Sequence, residues 1–480
     1  MSRPVSRRTK IVATLGPASD SDITIAQLLR AGVDVFRLNF SHGEPGHHAA
    51  SARRIRHQAA LAGRHVGILA DLQGPKIRIG GFRNDSVELT PGQHFRLDAR
   101  IDDAAGDQHG VGFSFETLTQ YLRPQDTLLL DDGRIQLTVE HVEENAADCT
   151  VLLGGQLGSN KGINRLGGGI AAPALTEKDI ADIESLGAVN PDFVAVSFVS
   201  HIRDIEHTRA LLSRHGLDAS IIAKIERAEV VADDAILDDI LQASAGIMVA
   251  RGDLGVEVGD AELIGIQKDL ISRARRANRL VITATQMMES MIHEPIPTRA
   301  EVSDVANAVI DGTDAVMLSG ETAVGRYPVK AVQAMAGACV SAEKQRATSI
   351  SHHRMDQVFQ RTDEAIAMAT MYIANHMNVK AIVALTESGS TALWMSRIRS
   401  GIPIYAFSRN EGTRRRVVLY RGVYPVPFDV TLTGDDGFGL VCEALKSRGI
   451  VAEGDRILLT EGREAGVAGG TNTLRVLMVG

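Results

Sequence analysis

Short apolar runs alternate with longer amphipathic stretches over most of the chain. Eight runs are almost continuously hydrophobic, which is typical of parallel strands buried on both faces. They are Lys10–Leu15, Val33–Leu38, Val66–Ala70, Phe193–Phe198, Ser220–Ile225, Gly246–Ala250, Leu280–Thr283 and Ala315–Leu318. The stretches between them, such as Ile23–Ala31 and Leu263–Ala277, have the period of amphipathic helices. Eight strand–helix units predict a closed (β/α)8 barrel rather than a shorter open sheet.

The alternation is interrupted once, after the third predicted barrel strand. Short alternating strands and tight turns take its place, and a hairpin is predicted from Thr127–Leu130, the turn Asp131–Gly133 and Arg134–Val139. The interruption is too long to be a loop. We therefore expect an inserted all-β domain, a small β-barrel that acts as a lid.

The barrel pattern stops near residue 345, and a second α/β pattern follows. Its predicted strands are Ala381–Leu385, Ile402–Phe407, Gly422–Val426, Arg456–Leu459 and Thr473–Val479. The predicted organisation is α/β, with a TIM-barrel catalytic domain at 1–71 and 169–345, the inserted domain at 72–168, and a C-terminal α/β regulatory domain at 355–480.

Composition excludes several classes of function. The formal net charge is −8 and aromatic residues make up 4% of the chain, so neither a basic field nor stacking platforms for nucleic acid are expected. No apolar run approaches the roughly 20 residues of a membrane-spanning helix. The cysteines, Cys149, Cys339 and Cys442, fit neither a zinc site nor a disulfide framework, and a cytoplasmic location is expected.

Polar and charged residues follow nearly every predicted barrel strand, where active sites of such barrels lie. Glu226 and Asp253 end adjacent strands and could together bind Mg²⁺, while Arg37 and Lys224 could hold a phosphoryl group. Any one of these charges alone could be an ordinary ion pair at the barrel rim. Because both signs recur at strand after strand, we expect a site for a metal and an anion.

Several long motifs make the resemblance to a family specific. The segments RLNFSHG (37–43), SIIAKIE (220–226), MVARGDL (248–254), TATQMMESM (283–291), PTRAE (297–301) and MLSGETA (317–323) resemble pyruvate kinases, in the family's order and over essentially the whole chain. This resemblance implies transfer of the phosphoryl group of phosphoenolpyruvate to ADP, giving pyruvate and ATP in the final step of glycolysis.

The resemblance also implies roles for individual residues. Mg²⁺, which Mn²⁺ can replace, would be bound by Glu226 and Asp253, and the catalytic residues would be Lys224, Arg37 and Thr285. The other implied contacts are to substrate (Arg37, Gly252, Asp253, Thr285 and Ser319) and to nucleotide (Asn39, Ser41, His42, Arg78 and Lys161). By itself, Lys161 would be a solvated lysine in a glycine-rich loop. No P-loop motif is present.

One departure from many family members concerns potassium. The family's K⁺ site matches Asn39, Ser41, Asp71 and the carbonyl of Leu72, but this chain has Lys76 where K⁺-dependent members have glutamate. An ammonium group could supply the positive charge. We expect that K⁺ is not required.

A second candidate site lies in the C-terminal domain. Its residues, which resemble the effector-phosphate loop of regulated pyruvate kinases, are Thr386, Ser388, Gly389, Ser390 and Thr391. The same residues could simply cap a helix. The resemblance implies a phosphorylated allosteric effector and a homotetramer, the usual assembly of the family.

Two other functions compete with the kinase. A metal-dependent lyase or mutase acting on phosphoenolpyruvate or pyruvate could use Glu226, Asp253 and Arg37, but would leave Arg78 and Lys161 unexplained. A non-catalytic metabolite sensor could use the C-terminal loop, but would leave Lys224 unexplained. Dependence on ADP separates the first from the kinase, and turnover separates the second.

Overall fold

The computed structural model describes residues 7–115, 117–170, 172–349, 359–429, 435–462 and 469–480. Residue 355, the expected start of the C-terminal domain, lies outside these ranges. The chain begins with a strand–helix alternation: β1 (Lys10–Thr14), α1 (Asp22–Ala31), β2 (Val35–Asn39), α2 (Pro45–Leu61) and β3 (Gly67–Asp71).

The insertion then contributes eight strands. They are β4 (Ser86–Leu89), β5 (His94–Asp98), β6 (Gly110–Val111), β7 (Thr127–Leu130), β8 (Ile135–Val142), β9 (Ala146–Leu153), β10 (Gly155–Gly158) and β11 (Ile163–Arg165). A short 3-10 turn, Leu118–Tyr121, lies between β6 and β7. The predicted hairpin is present, because β7 and β8 pair in antiparallel fashion.

The alternation resumes after the insertion with five more strands: β12 (Phe193–Val196), β13 (Ser220–Ile225), β14 (Gly246–Ala250), β15 (Leu280–Ala284) and β16 (Ala315–Leu318). The accompanying helices are α3 (Glu177–Ser185), α4 (Ile202–Arg214), α5 (Ala228–Ala232), α6 (Asp234–Ala243), α7 (Arg251–Val258), α8 (Asp260–Arg276), α9 (Arg299–Asp311), α10 (Gly320–Ala323) and α11 (Pro328–Ala342). Further 3-10 turns are Leu186–Ala188, Glu289–Ile292 and Arg346–Thr348.

The last part of the chain forms α12 (Thr362–His376), β17 (Ala381–Leu385), α13 (Ser390–Ser396), β18 (Ile404–Ser408), α14 (Glu411–Val417), β19 (Val423–Pro427), α15 (Asp435–Ser447), β20 (Arg456–Gly462) and β21 (Thr471–Met478). The five strands form one sheet in the order β19-β18-β17-β20-β21, with only β21 antiparallel to its neighbour. None of the helices within the described ranges combines the length and apolar character that a bilayer crossing requires.

Eight parallel strands close into a barrel in the order β1-β16-β15-β14-β13-β12-β3-β2. Strands β1, β3, β14 and β15 are buried along their whole length, as their unbroken apolar runs predict. The predicted (β/α)8 barrel with an all-β insertion and a C-terminal α/β unit is therefore confirmed.

The strands of the insertion pair in two sheets around their own hydrophobic core. One sheet has the order β11-β7-β8-β9-β5-β6, and the other pairs β10 with β4. The chain leaves the first sheet for the second at Gly154 and Gly155. Gly155 has φ of +144°, and a Cβ on Gly154 would collide with the carbonyl oxygen of Leu89, so glycine is required at this switch.

The C-terminal unit covers the amino-terminal end of the barrel. Barrel-interior side chains such as Leu69, Ile222 and Met248 belong to the same buried cluster as Met371 and Val418 of the C-terminal unit. The carboxyl ends of the barrel strands, on the opposite side, are therefore left for the insertion and the site.

A buried ion pair fixes this contact. Arg397 of the C-terminal unit donates from Nη1 to Asp314 of the barrel at 2.8 Å, and both side chains are 1% exposed. Asp314 also accepts the backbone amides of Val281 and Arg421. Removing one partner of such a pair typically costs about 3–5 kcal/mol, so this contact strongly favours one docking geometry.

Candidate active site

Lys224 is the charged centre of the barrel mouth. Its Nζ donates to Ser197 Oγ at 2.7 Å and lies 2.9 Å from Glu226 Oε1 and 3.5 Å from Asp71 Oδ1. Burial alone would lower the pKa of Lys224, but the charges of the two carboxylates outweigh it and hold the pKa above its ordinary value. Lys224 is therefore a fixed cation at neutral pH.

Asp71 joins two cations at the end of β3. Its Oδ2 accepts a hydrogen bond from Arg37 Nε at 2.6 Å, while Lys224 approaches the other oxygen. Burial would raise the pKa of Asp71, but Arg37 and Lys224 keep it below its usual value. Arg37 also donates from Nη1 to Thr14 Oγ1 at 3.0 Å. The two basic side chains are thus held side by side by one carboxylate.

The two predicted metal ligands differ in environment. Glu226 is fully buried, its Oε2 accepts the amide of Phe198 at 2.7 Å, and its Oε1 lies 2.9 Å from Lys224 Nζ. Burial raises the pKa of Glu226, Lys224 lowers it, and the charge of Asp253 raises it further, with a net upward shift. The exposed fraction of the Asp253 side chain is 27%, and Lys76 Nζ lies 3.5 Å from its Oδ1.

This pair of carboxylates fits a hard divalent cation. Burial and then the negative charge of Asp253 raise the pKa of Glu226, and a cation held by the two carboxylates would offset both effects. No group of three or more His, Cys, Asp and Glu side chains with metal-binding geometry occurs in the described ranges. Two carboxylates leave coordination positions for substrate oxygens and water, as Mg²⁺ prefers.

The turn after β15 meets the first turn of α7. Gly252 donates its amide to Thr285 Oγ1 at 2.8 Å, and that hydroxyl donates to the carbonyl of Ala284 at 2.7 Å. Thr285 has φ of +64°, a conformation that residues other than glycine rarely adopt. Arg251 stabilises this turn, because it donates to the carbonyl of Thr285 and pairs with Asp304 at 2.6 Å.

The PTRAE motif determines the position of Asp304. Thr298 and Glu301 form a capping box that starts α9 at Arg299, and Asp304 lies one turn further along the same helix. A motif at 297–301 thus positions the carboxylate that holds Arg251.

Ser319 and the nucleotide candidates are at the rim. The Ser319 hydroxyl is buried and makes no hydrogen bond within the described residues, so it is free to meet a ligand. Asn39 is the last residue of β2, Ser41 follows the strand, and the carbonyl of His42 contacts His48 Nε2 at 2.9 Å.

Arg78 and Lys161 of the insertion have their contacts within the insertion and do not line the groove beside α7. Arg78 donates from Nη1 to the carbonyl of Asn160 at 2.8 Å, and Lys161 Nζ lies 2.8 Å from Asp131 Oδ1. A groove of about 500 Å³ separates the insertion from α7, with Lys76, Gln136, Gly252 and Asp253 among its lining residues. It is large enough for a ligand between the two parts.

The residues that match the K⁺ site are already engaged by protein groups. Asp71 contacts Arg37 and Lys224, and the carbonyl of Leu72 accepts a hydrogen bond from Ser197 Oγ at 2.8 Å. Lys76 contacts Asp253 rather than Asp71. Any charge that Lys76 supplies therefore acts from the Asp253 side of the site.

The C-terminal candidate loop is a compact turn before α13. Gly389, with φ of +88°, donates its amide to Thr386 Oγ1 at 2.9 Å, and the Ser390 amide donates to Ser388 Oγ at 3.4 Å. Thr391 is buried and bonds to Thr471 at 2.6 Å. Thr386 and Thr391 thus shape the loop, whereas Ser388 and Ser390 remain accessible.

Sequence reasoning missed three important contributors. Ser197 links Lys224 to the Leu72 carbonyl, Thr14 holds Arg37, and Phe198, with φ of +52°, aims its amide at Glu226. Ser197 and Thr14 are small hydroxyl residues within or beside apolar runs. The one available signal was their position at the carboxyl end of a barrel strand.

Comparisons with known proteins match the chain to one family over nearly its whole length. Residues 6–332 match the family model for the pyruvate kinase barrel domain, and residues 364–477 match the pyruvate kinase alpha/beta domain. Pyruvate kinase II of Salmonella typhimurium is 52% identical over 98% of this chain and 99% of its own length. The pyruvate kinase of Haemophilus influenzae is 51% identical with the same coverage.

A solved structure agrees with these sequence relatives. The crystal structure of a pyruvate kinase from Cryptosporidium parvum matches with a TM-score of 0.92 and 32% identity, covering 99% of this chain and 96% of that one. Both the barrel with its insertion and the C-terminal unit are included in that coverage. The chain belongs to the pyruvate kinase family.

Proposed function

We propose that Lys224 and Arg37 hold the phosphoryl group of phosphoenolpyruvate as it passes to ADP. The observation that carries this is the set of three oxygen atoms, on Ser197, Glu226 and Asp71, that fixes the Lys224 ammonium at the barrel mouth. Phosphoryl transfer depends on neutralising and aligning charge rather than on covalent help from the protein. A lysine held in its charged form meets that need.

The remaining substrate contacts are assigned to the place where the turn after β15 meets the first turn of α7. We assign the carboxylate of phosphoenolpyruvate to the backbone at Gly252 and Asp253, with Thr285 and Ser319 around it, because helix starts favour anions. Mg²⁺ or Mn²⁺, bound by Glu226 and Asp253, would supply charge neutralisation for the phosphoryl group and the enolate oxygen. Thr285 Oγ1 is used in two internal hydrogen bonds, so we assign it to positioning and to the proton route through water.

ADP enters between barrel and insertion in this proposal. Its contacts are assigned to Asn39, Ser41, His42, Arg78 and Lys161, and the segment 72–168 acts as a lid that keeps water from the phosphoryl group. The catalytic barrel is assigned to 1–71 and 169–345, and the regulatory domain to 355–480. The three cysteines are free thiols, in keeping with our proposal of a cytoplasmic enzyme.

The lyase, mutase and sensor alternatives do not fit as well. Both family models and full-length relatives are pyruvate kinases, and a kinase gives Arg78 and Lys161 the role that a lyase leaves unexplained. The chain is a phosphotransferase that forms pyruvate and ATP.

Replacing Lys224 by methionine tests the catalytic proposal. We expect Lys224→Met to lose at least about 10³-fold in kcat, because the transition-state charge loses its fixed cation. Pyruvate formation from phosphoenolpyruvate, ADP and Mg²⁺ is the measurement, with circular dichroism to show that the variant folds.

Lys268→Met is the matched control for this change. Lys268 pairs with Asp311 on the outside of the barrel, and its loss should leave kcat unchanged. A folded Lys224→Met enzyme with more than a tenth of wild-type kcat would refute the role given to Lys224.

The potassium proposal has its own test. Members of the family generally use Mg²⁺ and K⁺, and we propose that the Lys76 ammonium replaces K⁺ here. The wild type should reach full turnover in a K⁺-free, Na⁺-free buffer, whereas Lys76→Glu should be slow until K⁺ is added, because the new carboxylate needs a counter-ion.

Lys76→Gln separates loss of charge from creation of a cation site. It should be slower than wild type and respond to K⁺ less than Lys76→Glu does. A wild-type enzyme that is inactive without K⁺ would show that Lys76 does not substitute for it.

We further propose that the loop of Thr386, Ser388, Gly389, Ser390 and Thr391 binds the phosphate of an effector, in a homotetramer. The accessible hydroxyls of Ser388 and Ser390 beside a helix start support this. In turnover assays with sugar phosphates and AMP, Ser390→Asp should raise the activation constant at least tenfold by charge repulsion and leave basal kcat unchanged.

Ser447→Ala, on the exposed face of α15, is the control and should behave as wild type. Light scattering on the same samples gives the assembly. A wild type that no phosphorylated metabolite activates, or that is monomeric, would contradict this part of the proposal.

A further inference from the structure

A groove of about 660 Å³ lies at the amino-terminal end of the barrel, on the side away from the catalytic mouth. It is bordered by the end of α4, the end of α6 and the starts of β13 to β15. Its lining includes Arg209, Asp218, Ser244 and Arg279. None of these residues takes part in the site described above.

Two guanidinium groups converge in this groove. Arg209 donates to the carbonyl of Ala243, and Arg279 donates to the carbonyl of Gln242 at 2.7 Å. These carbonyls belong to adjacent residues of the last turn of α6, so the two cations lie at one helix end. Each guanidinium has five N–H donors and can therefore serve a carbonyl and a ligand together.

The cations lack an anionic partner of their own. Among the described residues, neither Arg209 nor Arg279 has a carboxylate within ion-pair distance, and the one acidic residue of the lining, Asp218, pairs with Arg416 at 2.8 Å. Burial lowers the pKa of Arg279, and the nearby charge of Arg209 lowers it further. Without a carboxylate partner, the guanidinium groups keep N–H donors that an anion could accept from.

Two buried polar atoms in the groove also have no partner. The Ser244 hydroxyl belongs to a residue that is 2% exposed and makes no hydrogen bond within the described ranges, and the same holds for Nε of Arg279. Buried polar atoms usually have hydrogen-bond partners. Two buried donors without a partner in this groove therefore indicate that an acceptor is missing.

We propose that this groove is a second anion site, which binds a phosphate group through Arg209, Arg279 and Ser244. A tetrahedral oxyanion offers enough acceptors for the two guanidinium groups and the hydroxyl at once. The volume of the groove also admits the organic part of a small phosphomonoester, so the phosphate is either free or esterified. The site is separate from the catalytic mouth and from the loop at 386–391.

Counting bound phosphate tests the proposal directly. Equilibrium dialysis with labelled inorganic phosphate at low ionic strength should show one fewer phosphate per chain in the double variant Arg209→Gln/Ser244→Ala than in the wild type. The other two phosphate-binding places are untouched by these changes. Ser244→Ala breaks no internal hydrogen bond, and turnover of phosphoenolpyruvate shows that the variants are folded.

Arg203→Gln is the matched control. Arg203 is exposed on α4, the helix that carries Arg209, and it lies outside the groove lining. Its replacement should leave the number of bound phosphates per chain at the wild-type value. The proposal would be overturned if the double variant Arg209→Gln/Ser244→Ala bound as many phosphates per chain as the wild type does.

Competition identifies the form of the phosphate. Glucose 6-phosphate should displace the groove phosphate from the wild type if the site takes monoesters. If labelled phosphate remains bound in excess glucose 6-phosphate, the site takes free phosphate. The difference in count between wild type and double variant carries the proposal in both cases.

Discussion

The structure of the site depends on how Asp71 holds Arg37 and Lys224 together. Arg37 and Lys224, which we propose face one phosphoryl group, repel each other, and a buried carboxylate between them offsets that repulsion. The orientation of these three charged groups and of Glu226 is then fixed by hydrogen bonds with Ser197, Thr14 and the backbone amide of Phe198. In the proposed function, the groups that hold the phosphoryl group are therefore in place before substrate arrives, so little reorganisation is needed during transfer.

The rest of the fold supports this arrangement from two sides. The C-terminal unit covers the amino-terminal end of the barrel, through a shared apolar cluster and the buried pair of Arg397 with Asp314, so the strands that carry the charges end in a rigid base. The insertion faces the open end, where a groove separates it from α7. Rigid support below and an independent domain above suit a site that must exclude water and still exchange nucleotide.

The sequence predicted more of the architecture than of the hydrogen bonds and ion pairs within the site. Unbroken apolar runs indicate parallel barrel strands, and a spacing of two residues predicts that Lys224 and Glu226 lie together, as their 2.9 Å contact shows. The partners that orient them could not be predicted, because Ser197 and Thr14 are common small residues and the left-handed conformation of Phe198 comes from tertiary packing. Nor did the pattern of the insertion show that its chain changes sheet at Gly154 and Gly155, since that depends on backbone approach.

Turnover of Asp71→Asn tests the central claim most directly. This change keeps the size of the side chain and removes the charge that joins Arg37 to Lys224. With saturating Mg²⁺ and K⁺, the account predicts that kcat for pyruvate formation falls by at least about 100-fold while KM for ADP changes little, because the loss is one of transition-state charge alignment. A folded Asp71→Asn enzyme with kcat within threefold of wild type would contradict it.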